Sequence, residues 1–142
     1  MPKRINVAGA GSESASQRAL VDWWSMAKRR WPGALLFAIP NGGRRDAATG
    51  ARLKAEGALA GVPDMLLAWP SGGWHSLFIE LKKEKGGSVS TAQKAVIDTL
   101  RAAGFAVVVA HGWKAAAEAI EAYLAGKAPG EEAKEKKDGN EL

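Results

Sequence analysis

The chain has 142 residues, of which 46% are hydrophobic and 25% are charged, and this composition predicts one soluble globular domain with its own core. The absence of cysteine excludes disulfides, thiolate metal sites and cysteine nucleophiles, and the lack of a long apolar run or an apolar leader predicts a cytoplasmic protein without membrane contact. The formal net charge of +5 suits a polyanionic partner such as nucleic acid, but solubility alone would explain it equally well.

Hydrophobic periodicity and turn residues predict a series of helices and strands. In the first helix, Leu20, Trp24 and Ala27 recur at helical spacing, and Pro32 follows its end. A later helix begins with a capping box that runs from Ser90 to Gln93. In chain order we predict a helix over 13–30, a strand over 34–39, a helix over 51–59, strands over 62–69 and 75–82, a helix from Ser90 to the closing Gly104, a strand over 105–110 and a helix over 113–124.

This order of elements predicts an α/β fold with a mixed central sheet flanked by helices. We divide the chain into a flexible N-terminus over residues 1–12, a folded domain over 13–126 and a tail over 127–142. The tail is charged and has no apolar period, so we expect it to be disordered.

The strands on either side of residues 70–73 form a predicted hairpin that gathers charged side chains. If Gly72 is the centre of the turn, Trp69 pairs with His75, Met65 pairs with Ile79 and Asp64 pairs with Glu80, and Lys82 shares the face of Glu80. Neighbouring carboxylates repel each other, and a carboxylate in a strand that is apolar on both faces needs compensation. A divalent cation would provide that compensation.

Oxygen ligands without cysteine or clustered histidine suit magnesium or manganese. A cation held by Asp64 and Glu80 could polarise a phosphoryl oxygen, and Lys82 could orient the attacking water or stabilise charge in the transition state. The alternative is a surface strand whose polar side simply carries Glu80 and Lys82.

Several ordered motifs resemble the VRR-NUC family of the PD-(D/E)xK nuclease superfamily, in particular its short single-domain forms from phages and bacteria. They are IPNGG at 39–43, Gly50, LKAEG at 53–57, GVPD at 61–64, FIELK at 78–82, Ser90 and Gln93. The resemblance implies a restriction-endonuclease-like core and a metal-dependent DNA endonuclease, in a bacterium or a phage-infected host cell. Similar stand-alone domains look like junction resolvases, so the substrate could be branched DNA or a Holliday junction rather than plain duplex.

The resemblance also assigns roles to individual residues of this chain. Asp64 and Glu80 match metal-binding carboxylates, and the main-chain carbonyl of Leu81 matches a further ligand. Lys82 and Gln93 match the catalytic lysine and a helix glutamine near the active centre. The family has a metal-proximal glutamate on its first helix, for which Glu13 is the candidate. A first-turn glutamate that merely suits the helix dipole is nearly as good an interpretation of Glu13.

Further predictions concern the partners of the chain. Basic residues on both sides of the hairpin could contact DNA phosphates, with a solvated loop as the alternative. These residues are Arg44, Arg45, Arg52, Lys54, Lys83 and Lys85. Symmetric cleavage of two strands needs two active centres, so we expect a homodimer that uses the tryptophans of the first helix and the apolar residues around Trp113.

Two other functions remain open at this stage. One is a catalytically silent DNA-binding module that retains the nuclease fold, although Asp64, Glu80 and Lys82 are all present. The other is a structural or interaction protein whose basic surface is incidental.

Overall fold

A mixed sheet of five strands, with the spatial order β1-β2-β3-β4-β5, organises the chain. This architecture comes from a computed structural model that describes residues 12–40 and 47–135. It confirms the predicted α/β class. The elements are α1 (Glu13–Ala27), a 3₁₀ turn (Lys28–Arg30), β1 (Leu35–Ala38), α2 (Ala47–Ala55), β2 (Met65–Ala68), β3 (Leu77–Lys82), α3 (Thr91–Ala102), β4 (Ala106–His111), α4 (Trp113–Leu124) and β5 (Glu132–Lys134).

The sheet is antiparallel from β1 to β3 and parallel from β3 to β5. The predicted hairpin register is confirmed where β2 meets β3, because Met65 pairs with Ile79. The predicted pairing of Trp69 with His75 is wrong. The turn closes instead between Ser71 and Trp74, and the His75 amide donates to the carbonyl of Gly104.

The two faces of the sheet pack against different helices. One face joins the main core with α1 and α4, and it includes the β3 residues Leu77, Ile79 and Leu81. The other face forms a smaller core with α3, in which Phe78 packs beside Ile97. Side chains alternate along a strand, so Glu80 and Lys82 lie on the α3 face together with Phe78.

The tryptophans pack against the main core of the domain, and the dimer role given to those of the first helix stays a prediction. Trp24 is buried, and the other five are partly buried against the main core. In the described residues, the exposed large apolar side chains are Val21, Met26, Leu35, Phe37 and Leu59.

The C-terminal segment contains a strand that the sequence did not predict. We expected disorder beyond Gly126, but Glu132–Lys134 forms β5 and pairs in parallel with β4. Its attachment does not depend on an apolar pattern. The backbone ladder holds it, and Nε2 of His111 lies 2.6 Å from Oε1 of Glu132.

Two further features concern α2 and the membrane prediction. The helix begins at Ala47, earlier than predicted, and none of its residues is buried. Within residues 12–40 and 47–135, no helix is both long and apolar enough to cross a membrane.

Candidate active site

The candidate site lies on the α3 face, at the edge of the sheet where β2 begins and β3 ends. Asp64 directly precedes β2, and its carbonyl accepts a hydrogen bond from the Ile39 amide at 2.7 Å. Its side chain turns toward β3, where Oδ2 accepts from the Leu81 amide at 2.8 Å. Continuing the observed register by two residues places Leu81 opposite Pro63, which has no N–H to offer. At the end of the ladder the Asp64 carboxylate thus accepts from the Leu81 amide, while Pro63 cannot donate to the Leu81 carbonyl.

Glu80 and Lys82 form a buried pair of opposite charges. They are alternate residues of β3 and are 3% and 8% exposed. Nζ of Lys82 lies 3.6 Å from Oε1 of Glu80. Gln93, in the first turn of α3, joins the two, since its Nε2 donates to Oε1 of Glu80 at 2.9 Å and its Oε1 accepts from Nζ of Lys82 at 3.0 Å.

The same Gln93 side chain completes the predicted capping box of α3. Its Oε1 also accepts from the Ser90 amide at 2.9 Å, while Oγ of Ser90 accepts from the Gln93 amide at 3.2 Å. One carboxamide oxygen thus accepts from the start of the helix and from Lys82. This arrangement fixes the first turn of α3 relative to the charged end of β3.

The electrostatics of the site are dominated by its two carboxyl groups, Asp64 and Glu80, which interact with each other. Burial and then the negative charge of Asp64 raise the pKa of Glu80 to about 8, against the opposing charge of Lys82. Burial also raises the pKa of Asp64, although the Leu81 amide, the Glu80 carboxyl and Lys82 act in the other direction. At neutral pH the pair therefore retains a proton on Glu80. When both groups are ionised, the single ammonium of Lys82 leaves one negative charge uncompensated, and a further cation suits that charge.

The VRR-NUC domain model matches residues 11–114, which is well over half of the 142-residue chain. The chain belongs to the VRR-NUC domain family.

Solved structures agree with this assignment. A "VRR_NUC domain protein" is 27% identical, with a TM-score of 0.68, and the match covers 82% of this chain and 91% of that one. A second structure, "VRR_NUC domain", is 22% identical with a TM-score of 0.50, covers 78% of this chain and 96% of its own, and supports the fold alone. A search of the curated proteins gives no match.

Within this VRR-NUC domain, the structure brings together Asp64, Glu80, Lys82 and Gln93. It does not bring Glu13 to them. Glu13 is exposed in the first turn of α1, directly after the N-cap residue Ser12. Across the described ranges, no group of three or more acidic or histidine side chains is arranged to hold a metal ion.

The predicted DNA-contacting residues of the VRR-NUC domain lie in three places. Lys83 and Lys85 are exposed just beyond β3, next to the candidate site. Arg52 and Lys54 are exposed on α2. Arg44 and Arg45 lie outside the described residues.

The sequence alone did not place Ser90 and Gly61 next to the site. Ser90 was recognised as a helix cap, but nothing local showed that its partner Gln93 would also bond Glu80 and Lys82. Gly61, the first residue of the GVPD motif, lies against the first turn of α3 with a φ of +90°, and a Cβ there would be 2.5 Å from the Ala92 carbonyl oxygen. In the sequence, the glycine at position 61 was the only sign of this close approach.

Proposed function

We propose that this VRR-NUC domain is a divalent-metal-dependent deoxyribonuclease that hydrolyses phosphodiester bonds within DNA. The observation that carries the proposal is the pair of interacting carboxyl groups, with Glu80 buried, Asp64 half-buried and Lys82 beside them. Such a pair is electrostatically unfavourable unless a proton or a cation occupies it. The membership of the chain in a nuclease-type family makes a catalytic cation the stronger explanation.

The donor set fits magnesium or manganese. All candidate ligands are oxygens, which are the atoms that these hard cations prefer. The Leu81 amide and the Gln93 carboxamide engage Oδ2 of Asp64 and Oε1 of Glu80, so the second oxygen of each group is the candidate ligand. The Leu81 carbonyl is proposed as a further ligand, because the strand register places it opposite Pro63, which has no N–H to donate to it. We leave Glu13 out of this set because it is exposed and apart from the pair.

A bound cation supplies Lewis acidity at the phosphate and lowers the pKa of a coordinated water. The chain's own residues contribute position and charge. Lys82 is proposed to orient the attacking water and to stabilise negative charge on the phosphate, since its ammonium is desolvated and held in place by Glu80 and Gln93. The planar side-chain carboxamide of Gln93 holds both Glu80 and Lys82, because its Nε2 donates to the first and its Oε1 accepts from the second.

The basic residues are proposed to bind the DNA backbone. Lys83 and Lys85 follow the catalytic strand directly, and Arg52 and Lys54 provide further positive charge on α2. Arg44 and Arg45 belong to this proposal on their sequence position. Contacts with phosphates strengthen binding and fix the position of the protein along the DNA, but they do not distinguish one base sequence from another.

We further propose that the working unit in the cytoplasm is a homodimer that acts on branched DNA such as a Holliday junction. A domain with one active centre cuts one strand, whereas symmetric cleavage of two strands needs two centres related by a twofold axis. A monomeric nicking enzyme is the alternative. Light scattering with and without four-way-junction DNA separates the two, because the mass of a single chain under both conditions would exclude the dimer.

The central experiment is a cleavage assay with duplex, flapped and four-way-junction DNA in Mg²⁺, in Mn²⁺ and in chelator. We expect cleavage that needs the cation and that Asp64→Asn and Glu80→Gln abolish. Asp98→Asn is the matched control, because it removes an exposed carboxylate whose ion-pair partner is Lys94, at 3.2 Å. Salt-sensitive DNA binding with no cleavage by the wild-type protein would instead establish a silent binding module.

A further inference from the structure

The first turn of α3 contacts both halves of the candidate site. On one side, Gln93 reaches β3 and bonds Glu80 and Lys82. On the other side, Gly61 lies against Ala92 and Gln93, three residues before Asp64. Asp64 directly precedes β2 and Glu80 lies in β3, and this turn contacts the segments that carry both of them.

Ser90 determines how the Gln93 side chain can point. The Ser90 hydroxyl accepts from the main-chain N–H of Gln93, and the main-chain N–H of Ser90 donates to the side-chain Oε1 of Gln93. The second bond uses the same oxygen that accepts from Lys82. With Oε1 directed at these two donors, Nε2 is left to donate to Glu80. The capping box therefore selects the orientation of the carboxamide that fits an ammonium on one side and a carboxyl group on the other.

Gly61 determines how closely the Asp64 segment can approach the helix. Its φ of +90° is in the region that favours glycine, and an added Cβ would lie 2.5 Å from the Ala92 carbonyl oxygen and 2.9 Å from the Gln93 amide nitrogen. These neighbours are helix backbone, which cannot move aside as a flexible side chain can. Any larger residue would push the segment and the first turn of α3 apart.

We propose that Ser90 and Gly61 are positioning residues for DNA cleavage, acting through the first turn of α3 on the Glu80–Lys82 pair and on Asp64. This inference rests on the proposed function. Neither residue touches the reacting atoms in this scheme. Ser90 sets the Gln93 carboxamide, and Gly61 sets the distance between the Asp64 segment and that carboxamide.

The Ser90 arm of the test compares three variants. Ser90→Ala removes the hydroxyl that accepts from the Gln93 main-chain N–H, and so loosens the turn in which the Ser90 main-chain N–H meets Oε1 of Gln93. Ser90→Thr keeps that hydroxyl, and Ala95→Gly weakens the same helix at an exposed position without touching the cap. We expect Ser90→Ala to lower kcat for DNA cleavage about 10-fold with KM unchanged, as is usual for partners that orient a metal site. Ser90→Thr should restore kcat, and Ala95→Gly should lower Tm comparably without this loss. Equal kcat in Ser90→Ala and Ala95→Gly would overturn the role of Ser90.

A second readout uses the metal-free protein and needs no turnover. The Nε2 protons of Gln93 are bonded to Glu80, so NMR should find their exchange with water about 10-fold faster in Ser90→Ala than in wild type or Ala95→Gly. Unchanged exchange would overturn the inference. A wild-type protein that cleaves no DNA would overturn the proposed function, and the exchange measurement distinguishes that failure from a failure of the inference.

The Gly61 arm has a matched glycine in the same loop. Gly57 has a φ of +104°, and a Cβ added there would have nothing within 4 Å, so Gly57→Ala introduces the backbone strain without the collision. Gly61→Ala introduces both. We expect Gly61→Ala to lower kcat at least about 10-fold while Gly57→Ala stays within about twofold of wild type. Equal effects of the two substitutions would overturn the role of Gly61, and if Gly61→Ala does not fold, the Ser90 variants decide the inference.

Discussion

Glu80 should release a proton when Mg²⁺ or Mn²⁺ binds to this chain. In the metal-free site, burial and the charge of Asp64 raise the pKa of Glu80 to about 8, so roughly nine in ten molecules carry the proton at pH 7. A cation needs the ionised carboxylate, so binding at pH 7 should release about 0.9 proton per ion. The apparent affinity should rise about tenfold per pH unit below pH 8 and level off above it.

Isothermal titration calorimetry measures both quantities. The cation is titrated into the protein in two buffers of small and large ionisation enthalpy, and the difference in observed heat gives the number of protons released. Glu80→Gln should lose tight binding and proton release together, whereas Asp98→Asn, on the exposed side of α3, should behave as wild type. Heats that are independent of the buffer at pH 7, or an affinity that is equal at pH 6 and pH 8, would refute the assignment of the proton to Glu80.

Three further predictions concern stability, catalysis and DNA binding. In the metal-free protein the folded-state pKa of Glu80, about 8, lies above its ordinary value of 4.5, so its contribution to stability is full below pH 4.5 and is lost as the pH rises toward 8. Thermal unfolding should show Tm falling over that window, and a slope that persists in Glu80→Gln would assign the effect elsewhere. Lys82→Met keeps the buried aliphatic part of the side chain and removes the charge, so it should slow single-turnover cleavage about 100-fold or more with metal affinity nearly unchanged. If calorimetry finds that metal binding is lost while cleavage survives, the catalytic role given to Lys82 is wrong. Replacing Lys83 and Lys85 by Ala should weaken binding to every duplex by a similar factor and lower the salt slope by about 2 in anisotropy titrations, whereas altered cleavage positions at unchanged affinity would indicate base readout.

The central hairpin was predictable because its register follows from local chemistry. A tight glycine turn and the alternation of side chains leave few ways to pair β2 with β3, and the observed pair of Met65 with Ile79 is the predicted one. Once that pair is fixed, Asp64 and Glu80 must lie near each other. The core of the candidate site therefore follows from two strands that are close in sequence.

The C-terminal strand was not predictable by the same means. Glu132–Lys134 has one alanine between charged residues, so no apolar period marks it. Its place is decided by the free edge of β4, by the bond between His111 and Glu132, and by Arg101, which donates to the Glu131 carbonyl at 3.3 Å. Each of these partners is distant in sequence, and their proximity exists only after the sheet has formed.

Gln93 lies between these two cases and explains how the site depends on the fold. Its capping role with Ser90 is a local pattern, and the structure confirms it. Its bonds to Glu80 and Lys82 require α3 to pack over the end of β3, which no local pattern specifies. Because one carboxamide oxygen accepts from the Ser90 amide and from Lys82, a shift of the helix start by one residue would remove the acceptor from a buried ammonium. Glu80 would remain as the ion-pair partner of Lys82, but the loss of a hydrogen bond to a buried charged group costs about 1.5–3 kcal/mol, more than the roughly 1 kcal/mol of an ordinary helix cap. The burial of Lys82 thus constrains where α3 begins more strongly than the capping sequence does.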